Sequence, residues 1–392
     1  MMLTFTFVQT PINRLRCSWM CRMEDLIEAL FIVLIISVVI QFGTYWIVYR
    51  RIAFYTNKKT AQATDPVSVI ICARNESIML RKNLASILEQ DYPSFEVIVV
   101  DDCSWDETGL YLEEMSKQYS NLKIVTIKEQ EKYRHGKKFA LTLGIKAAKN
   151  EILILTDADC QAAGKQWLSL MQRNYTEGKE IVLGYGAYRK SSGLVNTLIR
   201  FDALHIAMQY FSAALGGKAY MGVGRNLSYK RTIFFRSKGF AKHNHILSGD
   251  DDLFINENAT SSNTAIETDP GSFTYSDSKK TFSAWLLQKT RHMSTARYYK
   301  SSQKFSLGLR GMSLFVFYAT LIALFTLQYE WRILVSLYAF MLLSRFPIFY
   351  RVSSRLKEKD LAWAFPFLEI IHSILQPVFY TANLLTKQKT WK

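Results

Sequence analysis

Cysteine is scarce, with five in 392 residues at positions 17, 21, 72, 103 and 160. An odd, irregular set excludes a disulfide framework and reads as reduced thiols. No histidine or paired cysteine stands at the spacing of a zinc site, so zinc is not expected. The chain also lacks a G-x-G-x-x-G after any apolar run, which disfavours a dinucleotide enzyme. It has no G-x-x-x-x-G-K-S/T, which removes a phosphate-loop nucleotidase. Acidic residues are in deficit: 49 Lys+Arg against 33 Asp+Glu leave a net charge of +16. That excess suits an anionic ligand or an anionic lipid surface. Nucleic acid is the first rival, but no zinc-finger spacing, RNA-binding aromatic signature or basic zipper is present. No nucleic-acid partner is expected.

Long apolar runs are there instead. Residues 26–49 are long enough to span roughly 30 Å of hydrocarbon, and Arg50 and Arg51 follow them. Three further stretches lie at 311–329, 333–350 and 361–384, the last interrupted by Pro366, Glu369, His372 and Pro377. The chain reads as an integral membrane protein. Met23 opens an acidic lead-in to the first run, so residues 1–22 are expected to be a misassigned start and 23–50 the N-terminal transmembrane helix. The acidic lead-in and the basic residues at 50–51 and 58–59 place the central region in the cytoplasm. The 351–360 loop agrees if the helices cross in turn; Lys387, Lys389 and Lys392 then fall on the wrong side unless the last stretch is re-entrant.

Between the membrane runs, short β-branched segments alternate with helical patterns. Strands are expected at 67–72, 95–100, 122–127, 151–156 and 180–185, with helices near 77–89, 107–119, 137–149 and 164–173. Continuous apolar strands separated by helices indicate an α/β fold with a mostly parallel sheet covered on both faces. Such sheets bind ligands at the carboxyl ends of their strands. The polar residues gather there: "ARNES" after the first strand, Asp101 and Asp102 after the second, Asp157 and Asp159 after the fourth. Two neighbouring acids repel, and the countercharge expected is Mg²⁺ or Mn²⁺ held jointly with a diphosphate. The segment 192–215 is either a membrane-surface helix or a core helix, and 281–300 has the basic, aromatic character of a headgroup zone.

The motifs "PVSVIICARNES", "VVDDCSWDET", "HGKKFAL" and "LTDADC" stand in an order that resembles glycosyltransferase family 2. "GVGRNLSY", "SGDDDLFIN" and "QKTRH" are similar to its acceptor-side motifs, the last approximating Q-x-x-R-W with His292 in place of Trp. The resemblance covers about 66–295, with 66–190 as the nucleotide-sugar half, 191–295 as the acceptor half and 305–392 as a C-terminal membrane region. It implies a GT-A-like, nucleotide-diphospho-sugar-binding sheet flanked by transmembrane helices. Cys72, Arg74, Glu76, Asp101, Asp102, Lys137 and Asp157 would bind the nucleotide sugar, with Asp102 at the base and Lys137 at the phosphates. Asp159 would hold the metal. Asp250 would be the general base, with Gly249 replacing the family's usual Glu, and Arg291 would steady the leaving diphosphate. Asn226, Asp252 and Gln288 would lie on the acceptor side.

The function this implies is an inverting transferase moving a sugar from a nucleotide-sugar donor, expected to be UDP-linked, to a lipid or lipid-linked glycan. The expected place is the cytoplasmic face of a membrane, a bacterial inner membrane on this reading. A processive polysaccharide synthase is the near alternative, and a non-catalytic membrane scaffold with the same fold is the alternative of another class.

Overall fold

The apolar runs after residue 66 become the strands β1 (Val67–Ala73), β2 (Phe95–Asp102), β3 (Leu122–Ile127) and β4 (Ile152–Asp157). They run parallel in the order β3-β2-β1-β4. This computed structural model describes residues 11–57, 64–128, 136–246 and 248–385, with side chains from residue 22 onward. Lys58, Lys59, Lys387, Lys389 and Lys392, which bear on membrane orientation, lie outside the described residues, as do residues 1–10 of the doubtful start.

Side chains alternate across a strand, so each strand must satisfy two covers. Val67, Val69 and Ile71 bury against α2 (Ser77–Leu88), α3 (Thr108–Gln118) and α5 (Trp167–Gln172). Ile70, Ile98 and Val100 face the other way, toward α4 (Lys137–Ala147) and α6 (Leu194–Leu215). Helix α4 lies unusually close. A Cβ on Gly144 would stand 2.7 Å from Ile70 Cγ2 and 2.9 Å from Val100 Cγ2. Glycine is therefore what lets the helix bearing Lys137 settle on the sheet.

Beyond β4 the parallel pattern breaks. The next strand in space is β8 (Leu227–Lys230), antiparallel to both β4 and β6 (Ile181–Leu183), and β9 (Thr264–Ile266) closes the edge. The expected fifth strand at 180–185 is thus real but shorter, and β8 separates it from the fourth. A small second sheet joins β5 (Gln161–Ala162), β10 (Thr274–Ser276) and β7 (Gly186–Tyr188). Helix α6 is buried along most of its length, which settles 194–215 as a core helix. It is followed by α7 (Asp252–Asn258) and α8 (Phe282–Ala296).

Among the described residues, three helical segments are long and apolar enough to cross a membrane: Arg22–Ala53, Ser301–Thr326 and Trp331–Arg355. The first is the greater part of α1 (Pro11–Gly43) with its continuation, and the others are α9 and α10. At about 1.5 Å per residue each exceeds a hydrocarbon core of roughly 30 Å. The last apolar stretch forms α11 (Phe365–Leu385), which is not among the candidate spans. Its polarity is inverted: Glu369, His372 and Ser373 face inward, while Phe367, Ile374 and Leu384 are exposed. Glu369 meets the buried Arg345 of α10 at 2.8 Å and accepts hydrogen bonds from Tyr318 (2.9 Å) and Tyr45 (3.3 Å). One carboxylate thereby ties α11 to all three spans.

Candidate active site

Register brings the polar strand ends together. Cys72 pairs with Asp157 across β1 and β4, and Ala73 pairs with Asp101 across β1 and β2. Because β8 runs antiparallel to β4, the loop that enters it, Gly222–Asn226, reaches the same rim.

Lys137 opens α4 at this rim. Its Nζ lies 2.8 Å from Asp157 Oδ1 and 3.0 Å from Asp250 Oδ2, bridging the sheet end and the turn before α7. Burial alone would lower the lysine pKa, but Asp157, Asp250 and Asp251 outweigh it and hold it well above its usual range. The same cation acts on Asp157. Burial pushes that carboxyl up, but Lys137 pulls it below the ordinary range. For Asp159, burial followed by the charge of Asp157 outweighs the nearby Arg225 and Lys137 and raises it. Two acids one residue apart are therefore driven in opposite directions.

The three consecutive acids divide by direction. Asp250 faces Lys137. Asp251 caps α7, accepting from Asp252 N at 2.7 Å, and also binds the rim loop through Gly224 N at 2.7 Å. Burial, Asp250 and Asp252 push it up to about 7. Asp252 turns away to α8 and the segment after it, accepting from Thr295 and, at 2.7 Å, from Tyr299. The glycine before them has a structural cause. Gly249 sits at φ +94°, and a Cβ there would stand 2.5 Å from Leu253 Cδ1. A side chain such as Glu does not fit this turn without strain.

Arg225, which sequence reasoning passed over, completes the centre. Its guanidinium stacks 4.0 Å over the Tyr188 ring and donates to Ser276 Oγ at 2.7 Å. It also counters the charge of Asp157 and Asp159. The only hint was a lone arginine in the small-residue loop "GVGRN". Gly186 makes the room, since a Cβ there would stand 2.9 Å from Arg225 Cβ.

These groups share one cleft of about 710 Å³, with Cys72, Arg74, Glu76, Lys137, Asp157 and Asp159 on one wall. Gln288, Arg291 and His292 of α8 also line it, as does Leu307 of the α9 span. Its size suits a ligand of nucleotide-sugar dimensions. Gln288 donates to Tyr188 OH at 3.3 Å. Burial pushes His292 down to about 3, so its ring is neutral at physiological pH.

Three expected site residues, Asp101, Asp102 and Asn226, are not among those that line this cleft. Asp102 is wholly enclosed at the end of β2, and neither it nor Asp101 lines the cleft; Asp101 accepts from Ser104 N at 3.2 Å. Asn226 is buried. Its amide donates to Tyr185 O (3.0 Å) and Ser272 O (2.7 Å) and accepts from Trp167 Nε1 (3.1 Å). With those contacts it fixes the Arg225 loop.

Among the described residues, no group of three or more His, Cys, Asp or Glu could hold a metal ion on its own. A hard cation does not need one, because it binds through one or two carboxylates and fills its shell with water and phosphate oxygens. Asp159, which lines the cleft and is raised above the ordinary carboxyl range, has the donor chemistry for that arrangement.

The family described as glycosyl transferase family 2 matches residues 68–236. The probable glycosyltransferase YdaM of Bacillus subtilis is 27% identical over 233 residues, which are 57% of this chain and 54% of that protein. The beta-monoglucosyldiacylglycerol synthase of Nostoc sp. is 30% identical over 128 residues, 32% of this chain and 26% of that one. The chain thus spans about half, or less, of the length of these relatives. Among solved structures, the mannosyltransferase PcManGT from Pyrobaculum calidifontis, in complex with GDP-Man and Mn²⁺, aligns with a TM-score of 0.55 at 19% identity. The match covers 88% of this chain and 99% of that one, and it establishes a GT-A-like fold.

Proposed function

Because residues 68–236 are a glycosyl transferase family 2 domain, we propose that this protein is an inverting glycosyltransferase that moves a sugar from a UDP-linked donor to a lipid or lipid-linked glycan at a membrane surface. The observation that carries the reading is one cleft whose lining joins Lys137, Asp157 and Asp159 to Asp250 and includes Leu307 of a candidate membrane span. A donor enters at the strand ends, and an acceptor approaches from the side of α8 and α9.

Each step has a residue. The acceptor hydroxyl must lose its proton as it attacks the anomeric carbon, and a carboxylate within about 3 Å can take it. Asp250 is placed for this: Asp251 is occupied by two backbone N–H groups, and Asp252 is engaged by Thr295 and Tyr299. The bond from the anomeric carbon to the diphosphate oxygen breaks as the new one forms, and negative charge grows on the leaving group. Lys137 and the α4 N-terminus face that charge, and Arg291, which lines the same cleft, adds a further cation. A divalent ion at Asp159, when bound, supplies further countercharge to the diphosphate. The neighbour solved with GDP-Man and Mn²⁺ supports that assignment, and the Nostoc relative's name supports a lipid acceptor.

The test is donor hydrolysis and transfer by the full-length protein in vesicles, with UDP-glucose and UDP-N-acetylglucosamine, before and after chelation. Release of UDP that stops on chelation and returns with Mn²⁺ is expected. A protein that binds UDP but never breaks the glycosidic bond with either donor is a scaffold, and the reading fails. Long polymer in place of a singly glycosylated lipid would favour a processive synthase.

A further inference from the structure

A second charged centre lies in the acceptor half, and two of its members, Asp202 and Lys289, also line the cleft. Asp202, in the middle of α6, is buried, and so are its two partners. Lys289 of α8 places Nζ 3.0 Å from Asp202 Oδ1 and 2.8 Å from Oδ2. His372 of α11 places Nε2 3.2 Å from the same Oδ1. One carboxylate thus joins three helices that are distant in sequence. Apolar contacts reinforce the junction: Trp285 of α8 packs edge-on against Phe379 of α11 at 5.0 Å, and Lys289 Nζ lies 5.6 Å from that ring.

The placement gives the junction a consequence for the cleft. Lys289 follows Gln288 directly and precedes Arg291 by two residues, so pinning it orients the face of α8 that lines the cleft. The other side of helix α11 exposes apolar residues such as Phe367 and Ile374, which suit a lipid environment. Ordinary packing would need no buried ions here. A buried pair contributes little net stability over apolar residues of the same volume, but it enforces one geometry where a directional contact matters.

We propose that Asp202 is a positioning residue: by holding Lys289 and His372 together, it fixes the cleft-lining helix α8 against the lipid-facing helix α11 and so sets the acceptor end of the cleft. This rests on the reading of the cleft as a glycosyltransferase site. In this role Asp202 acts through Gln288 and Arg291, and His372, which does not line the cleft, tests positioning alone.

The test uses the full-length protein in phosphatidylcholine–phosphatidylglycerol vesicles, with three variants: His372→Leu, Asp202→Asn, and Asp202→Asn combined with Lys289→Met. Hydrogen exchange needs no knowledge of the acceptor. His372→Leu should speed exchange across 282–296 while β1 and β4 stay protected and UDP affinity holds. Unchanged exchange in 282–296 overturns the proposal. The kinetic arm uses UDP-glucose with dioleoylglycerol as probe acceptor. His372→Leu should raise the acceptor KM about tenfold or more, with kcat altered less than about threefold. The double variant should recover the melting temperature lost in Asp202→Asn, because no lysine charge is left stranded, without recovering the acceptor KM. Recovery of both means that the carboxylate only neutralises Lys289, and the proposal falls. If the wild-type protein transfers nothing to this acceptor, the proposed acceptor class is at fault, and the exchange result alone decides the role of Asp202.

Discussion

Replacing Lys137 by Met removes the cation at the centre of the site and keeps a side chain of similar length. Two charge-assisted contacts are lost, 2.8 Å to Asp157 and 3.0 Å to Asp250. Their environments differ: the Asp157 side chain is 31% exposed and that of Asp250 only 9%. Hydrogen bonds to charged groups contribute about 1.5–3 kcal/mol, the lower end applying where water screens. The Asp157 contact belongs near the bottom of that range and the Asp250 contact higher. Stranding both carboxylates should cost about 2–4 kcal/mol of stability, just below or within the range for a broken buried pair. For the donor, loss of one cation facing the diphosphate should weaken UDP binding by about 1.5–3 kcal/mol, roughly 10- to 100-fold in Kd. Calorimetric titration of UDP into the vesicle-bound variant measures this, with circular dichroism confirming the fold. A folded Lys137→Met protein that binds UDP within about twofold of wild type would refute the placement of Lys137 at the phosphates.

Asp159→Ala should leave the protein folded and remove the Mn²⁺-dependent part of UDP affinity; equal Mn²⁺ enhancement in variant and wild type would place the ion elsewhere. Gly249→Ala should lower stability by about 1–3 kcal/mol, because φ +94° is strained for alanine and Leu253 lies in the way. A melting temperature unchanged from wild type would show that this turn relaxes freely. Asp251, pushed up to about 7, retains its proton between the unfolded carboxyl pKa and about pH 7, a window in which the unfolded chain has lost it. Its contribution is therefore fully present below pH 4 and declines as pH rises to 7, by up to about 1.4 kcal/mol per unit. Melting curves from pH 4 to 8 should show a shallower decline for Asp251→Asn than for wild type, and parallel curves would contradict the assignment.

The parallel half of the fold was legible because its strands are buried on both faces. Their apolar runs are continuous, and the charged residues that follow stand out at one rim. The antiparallel half was less so. "LSYK" of β8 is four residues long, and its apolar Leu and Tyr alternate with polar neighbours, so nothing local announces that it inserts beside β4. The loop before it was recognised as a motif, but proximity in the fold assigns Arg225 to the cleft and Asn226 to its support. Asp102 shows the converse limit: a carboxylate at a strand end looks available in sequence, and only packing reveals it as enclosed. The stretch at 361–384 looked like an imperfect span because its polar residues were read as interruptions. They form one inward face, paired to Arg345 and Asp202 on elements that are remote in sequence. Composition records such residues without their partners.

The measurement that bears most directly on the central claim is a comparison of Asp250→Asn with wild type for sugar transfer and UDP affinity in the same vesicles. Asn keeps the shape of the side chain but cannot take the acceptor proton at neutral pH. Transfer should fall by about 100-fold or more, the lower end of general-base contributions, while UDP Kd stays within about threefold. Near-normal transfer by Asp250→Asn would contradict the assignment of Asp250 as base, and with it the inverting reaction proposed for this cleft.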